Sequence, residues 1–503
     1  MAVTEFTSIP DMTRATAQTT PDRRALVQDG ICLSYAELDA RMDRIAATLQ
    51  SDGVAGQGVI SICAATSLSY ATLFLGALRA GVAVAPLAPS STADSLADMV
   101  ADSGAKLFFA DAGVISEMGA ALSRISCRVI HLDSFDDWLA PACSRPTPVV
   151  IDPAWPFNII YSSGTTGTPK GIVQSHGMRA RHVDRAEALG YGDASVTLLS
   201  TPLYSNTTLV SFLPSLAKGG TVVLMKKFEA AHYLALAAAE RTTHTMLVPV
   251  QYSRLMAHPA FGATDLSSFR MKFCTSAPFS AALKADVLAR WPGGLVEYFG
   301  MTEGGGTCIL VAHEWPDKLH TVGRPAPGHD IRLIGEDGLP VANGEIGEIV
   351  GHSEAVMLGY HNRPEQTSAA IWTAPDGRKF VRTGDVGRFD SDGFLTLMDR
   401  KKDMIISGGF NIYPSDIEAV IGQHPDVADV AVVGVASASW GETPVAFVVS
   451  RGAPVDDIRA WSNARLGKTQ RLAAVVLLDE LPRSHIGKIL KRDLRDGFQG
   501  NVP

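Results

Sequence analysis

The chain has 503 residues, 46% hydrophobic and 19% charged, with a formal net charge of −8 and an isoelectric point near 5.9. That length exceeds one ordinary core, so at least two domains are expected, and the composition is globular rather than disordered or fibrous. The acidic balance excludes nucleic-acid binding by bulk electrostatics, and six scattered cysteines without a C-x-x-C pair exclude a zinc framework and suit reduced thiols in the cytoplasm.

The N-terminus has no basic segment leading into an apolar core, and Glu5 and Asp11 fall where a signal peptide would not place them. Ser34-Tyr35-Ala36-Glu37 opens a helix with Ser34 as N-cap and Glu37 completing a capping box, and Leu38, Met42, Ile45, Ala46 and Leu49 fall on its apolar face. Residues 53–78 carry no charge and could cover a bilayer. A strand over 59–64 and a helix over 68–78 account for them better, so no membrane span is expected. Further strands are predicted over 82–87, 105–110 and 129–132. The alternation of strand and helix indicates largely parallel sheets.

The apolar run 157–161 predicts a buried strand. It breaks into Ser162-Ser163-Gly164-Thr165-Thr166-Gly167-Thr168-Pro169-Lys170-Gly171. Glycines let backbone amides approach a ligand, hydroxyls add donors and Lys170 adds a cation, so the loop suits a polyphosphate. It lacks the G-x-x-x-x-G-K-[ST] spacing of P-loop NTPases, because Gly171 stands where a magnesium-binding hydroxyl is needed. Strands are then predicted over 195–200, 220–225, 245–250 and 271–275, with an Ala-rich helix over 233–241. After Gly323, turn signals at Gly328-His329-Asp330, Glu336-Asp337-Gly338 and Asn343-Gly344-Glu345 punctuate short alternating strands, the pattern of a small antiparallel, barrel-like subdomain. The charged knot Asp399-Arg400-Lys401-Lys402-Asp403 reads as a surface turn. It precedes about 100 residues with strands over 427–435 and 445–449, enough for a small α+β domain.

Four further strings carry candidate chemistry. In Tyr298-Phe299-Gly300-Met301-Thr302-Glu303 an aromatic face can stack on adenine, Thr302 can donate to phosphate and Glu303 can hold a hard cation. Asp385, after Arg382-Thr383-Gly384, can accept two hydrogen bonds from a ribose diol, although the string alone reads as a hairpin turn. Ile406-Ser407-Gly408-Gly409-Phe410 leaves room for a narrow ligand arm, and Pro482-Arg483-Ser484-His485-Ile486-Gly487-Lys488 ends in a lone lysine. Singly, each is an ordinary turn or a solvated charge.

Together with the loop they resemble the adenylate-forming superfamily of acyl- and aryl-CoA synthetases, over most of the chain. The resemblance implies two parallel-rich α/β sheets and the small antiparallel subdomain in residues 1–398. It also implies a mobile α+β domain in 399–503 that swings about a hinge at Lys402. It assigns ATP and AMP to Ser162, Ser163, Gly164, Thr165, Thr166, Gly167, Lys170, Ser276, Ala277, Tyr298, Phe299, Gly300, Asp385 and Arg400, and magnesium to Glu303. Catalysis falls to Lys488, Thr302 and Glu303, and CoA contact to Ser407, Gly408, Gly409, Phe410 and Trp440. The acyl pocket falls to Ser205, Asn206, Thr207, Tyr298, Gly304 and Gly305. There Ser205 replaces a common histidine, and the glycines after Glu303 suggest space for an elongated or planar acid. The implied activity is ATP-dependent ligation of a small carboxylic acid to CoA through an acyl-adenylate, with an aryl or hydroxycinnamate acid favoured. A medium-chain fatty acid, a carrier-protein acceptor, a non-catalytic relative and a homodimer stay open.

Overall fold

The computed structural model describes residues 6–162, 169–400, 403–407, 410–437, 439–467, 470–484 and 488–500. The chain forms two compact units. The first holds residues 1–319, 325–330 and 351–381, and the second 320–324, 331–350 and 382–503.

Two large sheets build the first unit. The seven-stranded sheet runs in the order Gly359–Tyr360, Lys170–Ser175, Pro156–Ser162, Ala83–Leu87, Val59–Cys63, Leu107–Ala110, Arg128–His131. Its last five strands pair in parallel, and the first two join antiparallel. The nine-stranded sheet has a parallel centre, Arg24–Gln28, Thr221–Leu224, Val196–Leu199, His244–Leu247, Met271–Cys274 and Gly294–Phe299. Strands Ile31–Ser34 and Cys308–Val311 flank that centre antiparallel. Both central sets are apolar because helices cover both faces of a parallel sheet.

The local signals act as read. Ser34 and Glu37 form the capping box of Tyr35–Ser51, and Leu38, Met42, Ile45, Ala46 and Leu49 are fully buried. The uncharged stretch becomes the strand Val59–Cys63 and the helix Leu68–Arg79. Among the described residues no helix is long and apolar enough to cross a membrane. The strand expected over 245–250 stops at Leu247, because Pro249 fits the first turn of a new helix, Pro249–Met256, whose missing N–H costs nothing there.

In the second unit the strand Lys379–Phe389, entered at Arg382, runs beside Gly347–His352 and pairs antiparallel with Leu395–Arg400. Thr383-Gly384-Asp385 therefore lies inside a strand, not at a hairpin turn; the positive φ of Gly384 (71°) bends the strand without ending it. The turn is at Asp390, whose Oδ1 accepts from the amides of Asp392 and Phe394, both at 2.9 Å. Asp399 and Arg400 of the charged knot end a strand; Lys401 and Lys402 lie outside the described residues.

Beyond it, Val427–Ser437 and Gly441–Ser450 form a long hairpin registered from Val427↔Ser450 to Ser437↔Gly441. The period of two sends Val432, Ala446 and Val448 to one face, against Ile417, Ile421 and Ile458. Ala431, Val433, Val435, Val445 and Phe447 face the other way, against Leu481 and Leu494. Both faces being buried explains the near-continuous apolar run. Each fully buried Ile or Val contributes roughly 1.5–3 kcal/mol.

Candidate active site

The glycine- and hydroxyl-rich loop is closed at its base by an antiparallel pair of strands, Pro156–Ser162 and Lys170–Ser175, with Ser162 opposite Lys170 and Tyr161 opposite Gly171. Residues 163–168, which hold Ser163, Gly164, Thr165, Thr166 and Gly167, lie outside the described residues. The short strand Gly359–Tyr360 adds to the same edge, with Tyr360 opposite Ile172. That pairing brings Tyr360 between two of the predicted residues. Its ring centroid lies 5.3 Å from Lys170 Nζ, and its hydroxyl donates to Glu303 Oε1 at 2.9 Å. Burial, and then the Glu303 charge, push the Tyr360 phenol up, so it stays a donor. Nothing in the sequence motifs singles out Tyr360.

A second set of buried polar side chains fixes the Thr302–Glu303 turn. Arg179 donates from Nε and Nη2 to Asn158 Oδ1, each at 3.0 Å, and Asn158 Nδ2 donates to Gln174 Oε1 at 3.1 Å. Gln174 Nε2 then donates to the Thr302 carbonyl at 2.6 Å. The Glu303 carbonyl accepts from the Met357 amide at 2.8 Å. Arg179, Asn158 and Gln174 are all fully buried, so each bond is made without competition from solvent.

On the proposed acyl side, Ser205 caps the helix Asn206–Ala217, which presents Asn206 and Thr207 at its first turn. Thr207 Oγ1 and Ser276 Oγ share a hydrogen bond of 2.6 Å, and Ser276 has φ +82°. Ala277 follows it, half-buried. Thr275 Oγ1 donates to the Tyr298 carbonyl at 2.9 Å, and the Tyr298 ring stacks on Phe273 with centroids 5.9 Å apart. Phe299 ends the same strand as Tyr298, and Gly300 follows exposed. Burial pushes the Tyr298 hydroxyl up.

At Gly304 and Gly305 the missing side chains do not open onto free space. A Cβ on Gly304 would sit 2.2 Å from the Ala355 carbonyl oxygen and 2.8 Å from Met178 Cε. On Gly305 it would sit 2.7 Å from Val381 Cγ2. Their φ angles are +73° and +86°. These glycines let the backbone turn and pack; the space a side chain would fill is already taken.

In the second unit, Asp385 stands opposite Arg400 in the strand register, and the Asp385 amide donates to Thr383 Oγ1 at 3.0 Å. Ser407 stands opposite Phe410 on one side and Gly441 on the other, next to the exposed Trp440; Gly408 and Gly409 lie outside the described residues. Lys488 is half-buried and follows residues 485–487, which lie outside the described residues. The Ser484 amide donates to its carbonyl at 2.7 Å, its own amide donates to Ser484 Oγ at 3.2 Å, and Arg483 and Ile489 bridge alongside.

Comparison with known proteins gives this arrangement its context. The AMP-binding enzyme family matches residues 13–361, and the AMP-binding enzyme C-terminal domain matches residues 416–488. A feruloyl-CoA synthase of Amycolatopsis sp is 34% identical over 492 residues, covering 96% of this chain and 97% of that protein. A long-chain-fatty-acid–CoA ligase of Mycobacterium tuberculosis is 31% identical, covering 98% and 99%. The structure of o-succinylbenzoate CoA synthetase from Bacillus subtilis, in complex with its acyl-adenylate intermediate, superposes with a TM-score of 0.86 at 27% identity, covering 99% and 100%. The match spans both parts of the family pattern and nearly the whole of each relative: this chain is an acid–thiol ligase of the AMP-binding enzyme family.

Proposed function

We propose that the protein activates an aryl or hydroxycinnamate-type acid with ATP and passes the acyl group to CoA in the cytoplasm. The observation that carries the adenylation half is the Lys170–Tyr360–Glu303 assembly beside the braced Thr302 turn: a cation, a hydroxyl and a carboxylate held together at the base of a phosphate-type loop. The feruloyl-CoA synthase likeness supports the aryl acid.

In the first half-reaction a carboxylate oxygen of the acid attacks the α-phosphorus of ATP. The new O–P bond forms as the bond to the bridging oxygen breaks, and pyrophosphate leaves with that electron pair. Lys170 and Thr302 bind phosphoryl oxygens, and Lys488 meets the charge that grows on them. Asp385 and Arg400 hold the ribose. Glu303 fits a magnesium ion, since Tyr360 engages one of its oxygens and a single-carboxylate donor set suits an ion held mainly by phosphate and water. Magnesium, when bound, neutralises phosphate charge. In the second half-reaction the CoA sulfur attacks the acyl carbon, its proton passes to solvent, and the C–O bond to AMP breaks. Residues Ser407, Phe410 and Trp440 take the thiol arm, and the chain from 399 onward turns about Lys402 between the two halves.

The fatty-acid ligase relative at 31% identity supports a second reading with a straight-chain acid. Pyrophosphate release over a panel of ring and straight-chain acids, with CoA present, decides between them. Preference for straight-chain acids over every ring acid tried rejects the aryl reading, and no thioester at saturating free CoA would point to a carrier-protein acceptor.

A further inference from the structure

The helix His176–Asp184 and its C-cap Arg185 carry Met178, His182 and Arg185 at spacings of four and three, on one face. Met178 touches the place where a Gly304 side chain would go, so this face looks onto the backbone that runs on from Glu303. The contacts bear that out. An Arg185 Nη2 meets His329 Nε2, and His329 Nδ1 accepts from the Thr307 amide at 2.9 Å.

Donors and acceptors do not balance here. Burial, with the Arg185 charge adding to it, pulls His329 down to about 4, so the ring is neutral at physiological pH, with one N–H and one lone pair. The Thr307 amide takes the lone pair at Nδ1. The proton then sits on Nε2 and faces a guanidinium that can only donate. His182 adds to the imbalance: its Nδ1 is buried without a partner, as is Nη1 of Arg179. Burial and the neighbouring Arg179, Arg185 and His329 pull His182 down to about 3. Burial pulls Arg185 down, and the Tyr298 hydroxyl and then exposed Asp184 act against that; Asp184 pairs with Arg181 at 3.4 Å, and among the described residues no carboxylate forms an ion pair with Arg185. Asn206 Oδ1 on the acyl side is also buried without a partner.

We propose that Arg185 and His329 form a slot for an oxygen acceptor beside the backbone of residues 304–307, on the proposed acyl side, selecting acids whose end remote from the reacting carboxylate carries a hydroxyl or carboxylate oxygen. The phenol of a hydroxycinnamate and the second carboxylate of a diacid share that chemistry. The oxygen accepts from Arg185 and from His329 Nε2–H together, and a phenolic O–H has Asn206 Oδ1 as a candidate acceptor. This inference rests on the acid–thiol ligase reading of the site but not on the acid being aromatic.

The test compares kcat/KM for matched acids: cinnamate, 4-hydroxycinnamate and 4-carboxycinnamate, and an eight-carbon straight-chain acid with and without a terminal carboxylate. Acids with the remote oxygen are expected to exceed their plain counterparts about tenfold or more, as a satisfied buried donor pair should give. In Arg185→Met and His329→Leu that ratio should fall towards one, with Arg185→Lys and His329→Gln between. Whichever of the hydroxyl and carboxylate arms shows the larger ratio identifies the oxygen source. Equal kcat/KM within both matched series of the unmodified protein would overturn the slot, as would ratios that survive in every variant. Straight-chain preference with the oxygen effect intact would reject only the aryl reading; ring preference without the effect would reject only the slot.

Discussion

Tyr360 ties a cation to a carboxylate without carrying charge itself. Its ring lies under Lys170 and its hydroxyl holds Glu303, so Tyr360→Phe removes one hydrogen bond and keeps the ring. A bond to a charged acceptor is worth about 1.5–3 kcal/mol, so adenylate formation should fall roughly tenfold or more, and the magnesium concentration for half-maximal rate should rise. Pyrophosphate release titrated with magnesium measures both; an unchanged magnesium response would remove Tyr360 from the site. Lys488 makes the complementary case. Lys488→Ala should slow adenylate formation about a hundredfold or more, while thioester formation from a supplied acyl-adenylate is spared. Equal loss in both half-reactions would assign the lysine to something other than the departing pyrophosphate.

At the scale of elements, the site depends on how the hairpin 156–175, the helix His176–Asp184 and the turn after Phe299 are bolted together. Asn158 is the centre of that joint, accepting twice from Arg179 and donating to Gln174. Asn158→Leu keeps the volume but leaves a fully buried guanidinium without its acceptor, at a cost of about 3 kcal/mol. Thermal and denaturant midpoints should fall accordingly, and a variant as stable as the parent would show that Arg179 finds another partner. Gly304→Ala should be damaging too, because a positive φ and a carbonyl at 2.2 Å leave its methyl nowhere to go.

These joints also mark where sequence reading stops. Lys170, Thr302 and Glu303 are legible because each sits in a contiguous string whose chemistry is local, and the capping box at Ser34 is legible for the same reason. Asp385 and Arg400 are legible singly, while only the strand register reveals them as neighbours. Asn158 and Gln174 in their apolar strands and Arg179 on its helix give no signal, since a buried polar residue looks the same in sequence whether it is satisfied or not. Tyr360 reaches Lys170 and Glu303 through an edge strand, and His329 reaches Thr307 through a turn, both far along the chain. At Gly304 and Gly305 the sequence shows that side-chain volume is missing but not that Ala355, Met178 and Val381 occupy the positions a Cβ would take.

For the whole molecule, the buried histidines make acid a sensitive direction. Among the described residues His176, His244 and His329 are pulled down to about 4 and His182 to about 3, with burial the first cause at each. An unfolded histidine titrates near 6.5, so between about 6.5 and 4 the unfolded chain binds more protons than the folded one. The histidine share of the stability therefore holds steady above pH 7 and is lost as the pH falls through that window, while buried Glu297, pushed up to about 7, works against it over part of the same range. His176 isolates one share of this effect. Its ring stands edge-on to Phe157 with centroids 5.0 Å apart, and its Nε2 is buried without a partner, so His176→Phe sacrifices no bond at that nitrogen. The folded ring resists a proton by about 3 kcal/mol, which the variant no longer loses in acid. Denaturant midpoints measured from pH 8 down to 4 should match the parent or exceed it slightly at pH 8, then diverge in the variant's favour below pH 6. Parallel curves across the range would mean that His176 is protonated in the fold, against its burial and its unpartnered nitrogen.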